Sequence, residues 1–542
     1  MTGDAFHPTR STLLPYLLLI LAILGFFITP HYGESWDELK FYKYADHALS
    51  AYLSWPRSAE VPTVGGTYDN YGPAYVMLVT LAARPLGGLL GWSLSDTRHL
   101  LYWFTFLAGL WAFHDIARRF LRPLAALGAT LLFLTQPLFW GHAFISPKDI
   151  PFLSFFLLSL AFGLRLTDAP GLWEDAASRP SPRSRRILTI TLGAWLLAVF
   201  VLFGGTGWIH AWLERLIRAA AAGEASLLSS LIARAASDLA TAGAEVYIQR
   251  AFVLFLRLRA VFFWGTAIAL TWLVRRHHPG LLRLAWRVLP AALLLGLTTC
   301  IRILGPLAGI LVAAAWSHRH GKKAMPTLLL YAGIAMATVY VTWPYLWADP
   351  IARFVESAFV MARYPWEGRV LFNGVTYASN EIPRAYLPTL LAIQLTEPVW
   401  VLAVAGLAVT GYGLARRDGR SLGLAGLVLV WFVLPVVGLV AARSPLYDNF
   451  RQVFFILPPV FLLAGVALEA AFRRLRGPIL QVALLALVLL PGVWAGVRLH
   501  PYEYIYYNRF IGGVDGAFRR FELDYWGISY REAARYVNRV AP

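Results

Sequence analysis

The sequence predicts an all-α polytopic membrane protein. Of its 542 residues, 58% are hydrophobic and only 14% are charged, whereas soluble domains carry about 25% charged residues. The hydrophobic residues gather in long runs, and the run over 13–29 approaches the length that a bilayer core requires. Because this run is too long for a signal-peptide core and no small-residue cleavage site follows it, we interpret it as the first membrane span.

The basic residues predict the topology of the later spans. The net charge is +18, and the Lys and Arg residues cluster in short segments between hydrophobic runs, as the positive-inside rule describes. No basic domain lies outside these runs, so nucleic acid is excluded as a partner. Placing each basic cluster on the cytoplasmic side gives about 13 transmembrane helices, with the N-terminus inside and the C-terminus outside. The predicted spans begin near Thr12, Arg98, Leu121, Ile150, Ile187, Ala251, Val288, Gly305, Met325, Pro398, Leu422, Arg451 and Leu480.

The long segments between spans are predicted to lie outside the membrane on the extracytoplasmic side. We expect a transmembrane domain over 1–497 with outer loops 30–97, 204–250 and 344–396, and an extracytoplasmic tail over 498–542. The outer loops contain amphipathic stretches that favour helices in the interface plane rather than a separate soluble domain. The seventh and eighth spans together are short for two crossings, which predicts a hairpin that turns near Arg302 within the membrane depth.

Two adjacent carboxylates, Asp37 and Glu38, follow the first span. Charged groups there are costly near lipid and usually face water or a cavity. Ser35-x-x-Glu38 also matches a capping box, which accounts for Glu38 but makes no demand for Asp37. Asp37 would be ionised at neutral pH unless it is strongly buried, so it is a candidate proton acceptor for an attacking hydroxyl.

Two further outer segments carry candidate polar groups. Asp69 lies in Tyr68-Asp69-Asn70-Tyr71-Gly72-Pro73, which is also explained by a turn ahead of a helix over 74–90. Lys148 and Asp149 precede the fourth span, where Asp149 is equally suited to cap the helix. We expect these side chains to line the same outer cavity as Asp37, with capping and turn formation as the alternative.

Three arginines begin or turn spans on the outer side, where the positive-inside rule gives no reason for them. These are Arg98, Arg302 and Arg451, and Asp448 is the expected partner of Arg451. A charge at membrane depth costs on the order of 3 kcal/mol, although snorkelling to the interface would lower that cost. The planar guanidinium group suits phosphate oxygens. Arginines converging on one outer cavity therefore indicate a lipid phosphate as the ligand.

The sequence predicts neither a metal site nor a cofactor. Cys300 is the single cysteine and lies in a hydrophobic run, which excludes disulfides and cysteine-rich metal sites. The histidines of the outer segments are too scattered for a metal site. In the tail, Asp524, Tyr525 and Trp526 are either part of an aromatic belt or a lid that offers sugar-stacking groups over the cavity.

These motifs resemble the multispan C-type glycosyltransferase (GT-C) superfamily, whose members take sugars from polyprenyl-phosphate carriers. The first outer loop is similar to that of protein O-mannosyltransferases, where an Asp-Glu pair precedes a Lys/Phe-rich helix and a later Asp precedes a Pro-containing turn, matched by Asp69 and Pro73. The Thr-x-x-Arg-x-x-Gly-Pro pattern at 299–306 is similar to a hairpin of the lipid A aminoarabinose transferases, with arginine in place of lysine. The similarity is best over 13–166.

The resemblance implies roles for individual residues. Asp37 would be the general base with Glu38 beside it, Arg98 would contact the carrier phosphate, and Asp149 would match an aspartate that opens the fourth span. The Pro147-Lys148-Asp149 motif and the lack of a large soluble domain depart from the mannosyltransferases, so the acceptor stays open between lipid, glycan and protein.

The expected function is transfer of a sugar from a polyprenyl-phosphate carrier to an acceptor hydroxyl, with inversion, at the extracytoplasmic face of a bacterial inner membrane. A phosphate leaving group needs charge stabilisation rather than protonation, so one carboxylate base and several cations suffice. The alternative is a flippase or transporter of a lipid-linked sugar, which would favour polar residues near mid-span and internal repeats. A structural scaffold has no use for outward arginines at span starts.

Overall fold

The computed structural model describes residues 13–54, 65–169, 182–224, 226–235 and 243–541. The predicted all-helical polytopic class is confirmed. Thr12, where the first span was predicted to begin, and parts of the predicted outer loops 30–97 and 204–250 lie outside the described residues. In chain order, the elements are α1 (Leu13–Ile28), α2 (Glu38–Ser54), α3 (Ala74–Leu90), α4 (Leu94–Phe120), α5 (Pro123–Leu134), α6 (Pro137–Ile145), α7 (Asp149–Thr167), α8 (Pro182–Gly204), α9 (Thr206–Ala221), α10 (Leu227–Ala235), α11 (Ala244–His277), α12 (Pro279–Ile301), α13 (Pro306–His320), α14 (Met325–Thr342), α15 (Pro350–Ala362), β1 (Arg369–Phe372), β2 (Val375–Ala378), α16 (Tyr386–Gln394), α17 (Glu397–Ala415), α18 (Gly419–Ala442), α19 (Pro458–Arg474), α20 (Pro478–Leu499), α21 (Gly513–Ala517) and α22 (Tyr530–Val540).

The predicted count of thirteen membrane spans stays a prediction. Among the described residues, 10 helices are long and apolar enough to cross a membrane, or 11 if α5 and α6, which are bent by 62° at their junction, form one span. Two segments account for the difference between 11 candidate spans and 13 predicted spans. The stretch Pro306–Thr342, which joins α13 and α14, counts as one candidate of 37 residues. The span predicted to begin near Arg451 instead starts with a 3-10 turn, and α19 behind it has 17 residues.

The turn at Arg302 follows a helix of full membrane-spanning length. The predicted seventh span began near Val288, but α12 begins at Pro279 and has 23 residues. Arg283 and Arg287 lie inside this helix, because arginine is a good helix former and does not end a helix by its charge. The predicted short hairpin within the membrane depth is therefore wrong in its first arm.

The hydrophobic core is centred on α4 and α7 and fixes where the outer segments meet. Trp103 of α4 is fully buried, and its indole Nε1 donates to the backbone oxygen of Leu21 at 3.0 Å. The Trp103 ring stacks on Phe144 with centroids 4.6 Å apart, and Phe144 stacks in turn on Tyr32 at 4.3 Å. These contacts hold α1, the chain that follows it and the end of α6 against α4.

A small β-hairpin in the third outer loop was missed by the sequence analysis. Strands β1 and β2 pair antiparallel with Phe372 opposite Val375, so Asn373 and Gly374 form a two-residue turn. Both turn residues have positive φ, 50° and 81°, which is the backbone of a type I′ turn. Asn-Gly between apolar residues is the strongest short-range hairpin signal, and it could have identified this element.

Helix packing around Gly406 gives a testable prediction for stability. A Cβ at Gly406 of α17 would overlap the backbone oxygen of Leu463 in α19, whereas a Cβ at Gly411 of the same helix meets nothing within 4 Å. We expect Gly406→Ala to force α17 and α19 apart and to destabilise the protein by about 1–3 kcal/mol. Gly411→Ala, the matched control, should be neutral or stabilising by up to about 1 kcal/mol. Thermal unfolding of the purified protein in detergent measures both, and equal melting temperatures for the two variants would contradict the packing described.

Candidate active site

Six charged side chains from four separate segments meet at the end of the bundle where α7 begins. We call this group the Asp37 ion cluster. It comprises Asp37, Lys148, Asp149, Arg302, Asp448 and Arg451. Asp37 precedes α2, Lys148 and Asp149 begin α7, Arg302 follows α12, and the last two precede α19. The structure thus brings five of the eight sequence-predicted site residues together, with Asp448 as the sixth member.

Asp149 is the buried centre of the cluster. Its side chain is 0% exposed, and it pairs with Arg302 and accepts a hydrogen bond from Arg451 Nη1 at 2.8 Å. The hydroxyl of Ser146 accepts from the Asp149 backbone N–H at 3.0 Å, which places Asp149 in the first turn of α7. An unpaired buried carboxylate would be strongly unfavourable, so Asp149 holds the two guanidinium groups in fixed positions.

Arg451 connects all three carboxylates of the cluster. Besides Asp149, its Nη2 donates to Asp448 Oδ2 at 2.7 Å and lies 3.8 Å from Asp37 Oδ2. Its guanidinium carbon lies 4.3 Å above the Trp526 ring of the tail. Asp448 has a φ of 50°, a left-handed conformation that turns its carboxylate back onto Arg451. The arginine is therefore anchored on several sides.

Asp37 is the most accessible carboxylate of the cluster. Its Oδ2 accepts a hydrogen bond from Lys148 Nζ at 3.2 Å, and 22% of its side chain is exposed, against 19% for Asp448 and 0% for Asp149. Burial alone would raise the pKa of the Asp37 carboxyl, but Lys148 and Arg451 hold the pKa below its ordinary value. Asp37 is therefore ionised at neutral pH and open to a substrate.

Asp448, the other accessible carboxylate, has the opposite tendency. Burial raises its pKa above the ordinary value, although Arg451 opposes this effect. With three carboxylates and three cations, the cluster is formally neutral when all six groups are ionised. The two shifts run in opposite directions, so Asp37 stays ionised to lower pH than Asp448 does.

Glu38 points away from this cluster. Its fully buried carboxylate lies 3.0 and 3.1 Å from His99 Nε2 of α4 and accepts the Ser35 N–H at 3.2 Å. Ser35 fulfils only half of the predicted capping box, because its hydroxyl donates to the backbone oxygen of Ile145 instead. Burial raises the pKa of Glu38, and His99 counteracts that rise. Glu38 thus fixes the first turn of α2, directly behind Asp37.

Arg98 and Asp69 lie in other surroundings. Arg98 is buried with its guanidinium carbon 3.6 Å above the Tyr42 ring, and its Nε has no hydrogen-bond partner among the described residues. Asp69 is buried, and its backbone oxygen accepts a hydrogen bond from Trp343 Nε1 at 3.1 Å. The predicted role of Arg98 at a carrier phosphate stays a prediction, since its contact here is with an aromatic ring.

Aromatic rings surround the cations of the cluster. Lys148 Nζ lies 4.7 Å from the Phe41 ring and 4.9 Å from the Tyr71 ring. Tyr447 stacks on Trp366, which precedes β1, with centroids 4.3 Å apart. The sequence did not predict Trp366 as a site residue, because it did not predict the β-hairpin that follows Trp366 and that belongs to the same loop. Arg451 lies 5.4 Å from the Tyr447 ring, so Trp366 of the third outer loop is linked to the cluster through Tyr447.

The tail packs against the cluster rather than lying open above it. Trp526 is buried under Arg451, and its backbone oxygen accepts from the Trp36 N–H at 3.2 Å. The expectation that Trp526 offers a ring for sugar stacking therefore does not match its position. The Glu522 carboxylate accepts from the Asn449 N–H at 3.2 Å, next to Asp448. Within the described ranges, no group of three or more His, Cys, Asp or Glu side chains is arranged to hold a metal ion.

Comparison with solved structures finds distant similarities over most of the chain. The apo oligosaccharyltransferase of Archaeoglobus fulgidus aligns with 91% of this chain and 57% of its own, at 13% identity and a TM-score of 0.40. The oligosaccharyltransferase AglB of the same organism, in complex with an inhibitory peptide and a dolichol-phosphate, aligns with 98% of this chain and 59% of its own, at 14% identity and a TM-score of 0.39. ArnT from Cupriavidus metallidurans aligns with 92% of this chain and 74% of its own, at 13% identity and a TM-score of 0.45.

These similarities do not assign a function. The chain spans less than two thirds of the length of the oligosaccharyltransferases that it resembles. No protein-family model and no curated protein matches the sequence. All three TM-scores lie below 0.5, so the function has to be inferred from the geometry of the Asp37 ion cluster.

The pKa of Glu522 leads to a testable prediction about pH. Burial, with repulsion from Asp448, raises this pKa to about 7, well above the ordinary value of about 4.3. The protonated form is favoured in the folded state, so this contribution to stability is full below about pH 4.3 and is lost as the pH rises through 7. Glu522→Gln should therefore stabilise the protein at pH 8 by about 1–3 kcal/mol after allowance for solvent screening.

Melting temperatures in detergent at pH 8 and pH 5 measure this effect. The advantage of Glu522→Gln should shrink at the lower pH, and Glu381→Gln, at an exposed position, should change little at either. A Glu522→Gln variant that is no more stable than the original protein at pH 8 would contradict the prediction.

Proposed function

We propose that the chain is a GT-C-type glycosyltransferase that moves a sugar from a polyprenyl-phosphate carrier to an acceptor hydroxyl, with inversion. The observation that carries this proposal is the ionised, accessible carboxylate of Asp37, held 3.2 Å from Lys148 and 3.8 Å from Arg451. A base and cations at this separation match the two needs of the reaction, a proton acceptor and a site for a phosphate leaving group.

The proposed reaction forms one bond and breaks one. The acceptor oxygen attacks the anomeric carbon, its proton passes to the Asp37 carboxylate, and the bond between that carbon and the phosphate oxygen breaks with its electron pair going to the phosphate. Attack from the face opposite the phosphate inverts the anomeric centre. General-base assistance of this kind contributes roughly 10²–10⁴-fold to the rate.

The cations of the cluster are suited to the charge that develops on the phosphate. A sugar phosphodiester carries one negative charge, and the released polyprenyl phosphate carries up to two. Lys148, Arg302 and Arg451 would bind the phosphate more strongly as this charge grows, with each charged hydrogen bond contributing about 1.5–3 kcal/mol. A phosphate that draws Lys148 and Arg451 away from Asp37 would also raise the pKa of Asp37 and make it a stronger base once the donor is bound.

The remaining predicted residues have supporting roles in this proposal. Glu38, through His99, would position the turn that carries Asp37, and Asp149 would position Arg302 and Arg451. For Arg98 and Asp69 we keep the proposed assignment to the donor site, with the contact between Arg98 and Tyr42 released when a phosphate arrives.

An apolar groove beside Arg302 supports a long-chain lipid as the donor. Its volume is about 620 Å³, and it runs between α13, α14 and α15. Thr299 lines the groove, three residues before Arg302, and the rest of the lining is almost wholly hydrophobic, including Ile310, Ala313 and Met336. A polyprenyl chain in this groove would leave its phosphate beside the cations.

The proposal includes the location and the partners of the reaction. The cluster would face the extracytoplasmic side of a bacterial inner membrane, and the acceptor would be a lipid, glycan or protein that carries a free hydroxyl. We propose a transmembrane domain over 1–497 and an extracytoplasmic tail over 498–542, with the tail contacts at Arg451 belonging to the donor site.

Replacement of Asp37 tests the proposed base. Asp37→Asn keeps the shape of the side chain and removes the proton acceptor, so transfer should fall by roughly 10²–10⁴-fold while the melting temperature stays close to the original. The matched control is Asp46→Asn in α2, because Asp46 is exposed and pairs with Arg84 at 2.6 Å. Mass spectrometry of surface glycans and lipids, from cells lacking the protein and complemented with each variant, measures transfer.

A folded Asp37→Asn protein that restores most of the product would refute the base assignment. The flippase alternative is distinguished by a second measurement. In reconstituted vesicles, a flippase would move the lipid-linked sugar between leaflets without cleaving the sugar–phosphate bond. Neither the original protein nor the Asp37→Asn variant would then release polyprenyl phosphate.

The groove is tested by filling it. Ala313→Phe would occupy part of the groove, whereas Ala314→Phe on the same helix adds the same ring at an exposed position outside it. We expect Ala313→Phe to raise the KM for a long-chain donor roughly tenfold, equivalent to about two lost buried methylene groups, with kcat little changed. Ala314→Phe should leave both constants unchanged. Steady-state kinetics with long-chain and short-chain donors measure this, and an equal effect on both donors would contradict the assignment of the groove.

A further inference from the structure

A second charged cluster lies at the far end of α19 from the Asp37 ion cluster. Glu469 is almost fully buried, with 6% of its side chain exposed, and Arg420 donates to its two oxygens at 2.6 and 3.1 Å. The backbone N–H of Arg122 donates to the same carboxylate at 2.9 Å, its Nε lies 3.9 Å away, and Arg473 also pairs with it. Because α19 begins at Pro458, Glu469 lies 11 residues along this helix, roughly 16 Å from its start, on the side away from the Asp37 ion cluster.

The second cluster carries surplus positive charge. Among the described residues, three guanidinium groups share the carboxylate of Glu469, and Asp418, which accepts from the Arg420 and Ser421 N–H groups, is the second carboxylate at this end, so positive charge exceeds negative charge by one. Each guanidinium has five N–H donors, and Glu469 offers only two oxygens to all three groups. Arg122 and Arg473 have 60% and 54% of their side chains exposed, so the donors that Glu469 does not engage are open to solvent and available to an anion.

A cavity of about 250 Å³ opens beside these arginines. Arg416, Arg420 and Arg473 line it together with two carboxylates, Asp418 and Glu469, and an apolar side that includes Val409 and Tyr412. Arg416 lies 4.7 Å above the Tyr412 ring and has no carboxylate partner among the residues that the structure describes. The cavity thus combines three guanidinium groups with an apolar wall.

We propose that this cavity binds the phosphate group of an anionic phospholipid in the leaflet opposite the Asp37 ion cluster. The guanidinium groups supply bidentate donors for phosphate oxygens. Val409 and Tyr412 are exposed on α17, a helix long and apolar enough to cross a membrane, so the apolar wall lies where acyl chains run. Basic pockets between membrane helices are suited to anionic headgroups. A soluble phosphate would use the same donors but would have no use for the apolar wall.

This site is independent of the proposed transfer reaction, and its test uses binding. The full-length protein, delipidated in detergent, is titrated with phosphatidylglycerol, phosphatidylcholine or inorganic phosphate, and bound lipid is counted by native mass spectrometry. We expect phosphatidylglycerol to bind more tightly than phosphatidylcholine. The double variant Arg416→Gln/Arg473→Gln should weaken phosphatidylglycerol binding by roughly 30-fold, from two lost cations near the membrane surface. Arg420 is kept so that Glu469 stays paired.

The matched control carries the same change of charge elsewhere. Arg275→Gln/Arg276→Gln removes two exposed arginines from the last turn of α11, where Arg276 lies 5.4 Å above Trp272. Binding that is unchanged in this control, with similar melting temperatures for both double variants, supports the site. Equal weakening by both double variants, equal affinity for phosphatidylcholine, or saturation by inorganic phosphate without binding of phosphatidylglycerol would each overturn the proposal.

Discussion

The buried carboxylate of Asp149 is the constraint on which the rest of the outer end depends. A carboxylate with no exposed side-chain surface is tolerated only with close cationic partners, and Arg302 and Arg451 supply them from two other parts of the chain. Satisfying that one charge therefore ties the start of α7 to the end of α12 and to the turn before α19. The positions of both arginines follow from this requirement, and Arg451 also donates to the neighbouring Asp448.

Asp37 depends on a second set of contacts, which act through the backbone. Its neighbours Trp36 and Glu38 are held by the tail and by His99, respectively. The carboxylate between them is left to Lys148, Arg451 and solvent. Because Trp36 and Glu38 are anchored on either side, the loop is held in place while the Asp37 carboxylate between them stays accessible. This arrangement accounts for the different environments of two acidic residues that are adjacent in sequence.

The sequence predicted the parts of this arrangement that depend on local composition. Hydrophobic runs identify helices of membrane length, and arginines at outer span ends are unusual enough to be noticed, so Asp37, Asp149, Arg302 and Arg451 were all selected. Which of them pair depends on contacts between residues such as Asp37 and Lys148, 111 positions apart, and composition carries no information about these. The stacking of Arg98 on Tyr42 and the contact of Glu38 with His99 also join residues that are distant in sequence, so composition did not predict them. The start of α12 differs from the predicted Val288 for another reason: Arg283 and Arg287 form a basic cluster before Val288, which the positive-inside rule assigns to the cytoplasm, but arginine continues a helix readily.

The contact between the first outer loop and the tail has a consequence for biosynthesis. Arg531 reaches the backbone oxygen of Tyr32, 499 residues earlier, and Trp526 closes on Trp36 from the same side. During translation the early loop is inserted long before its partner is synthesised. A nascent polypeptide therefore carries the first outer loop without its partner, and the Asp37 ion cluster is covered only after Trp526 and Arg531 have been synthesised.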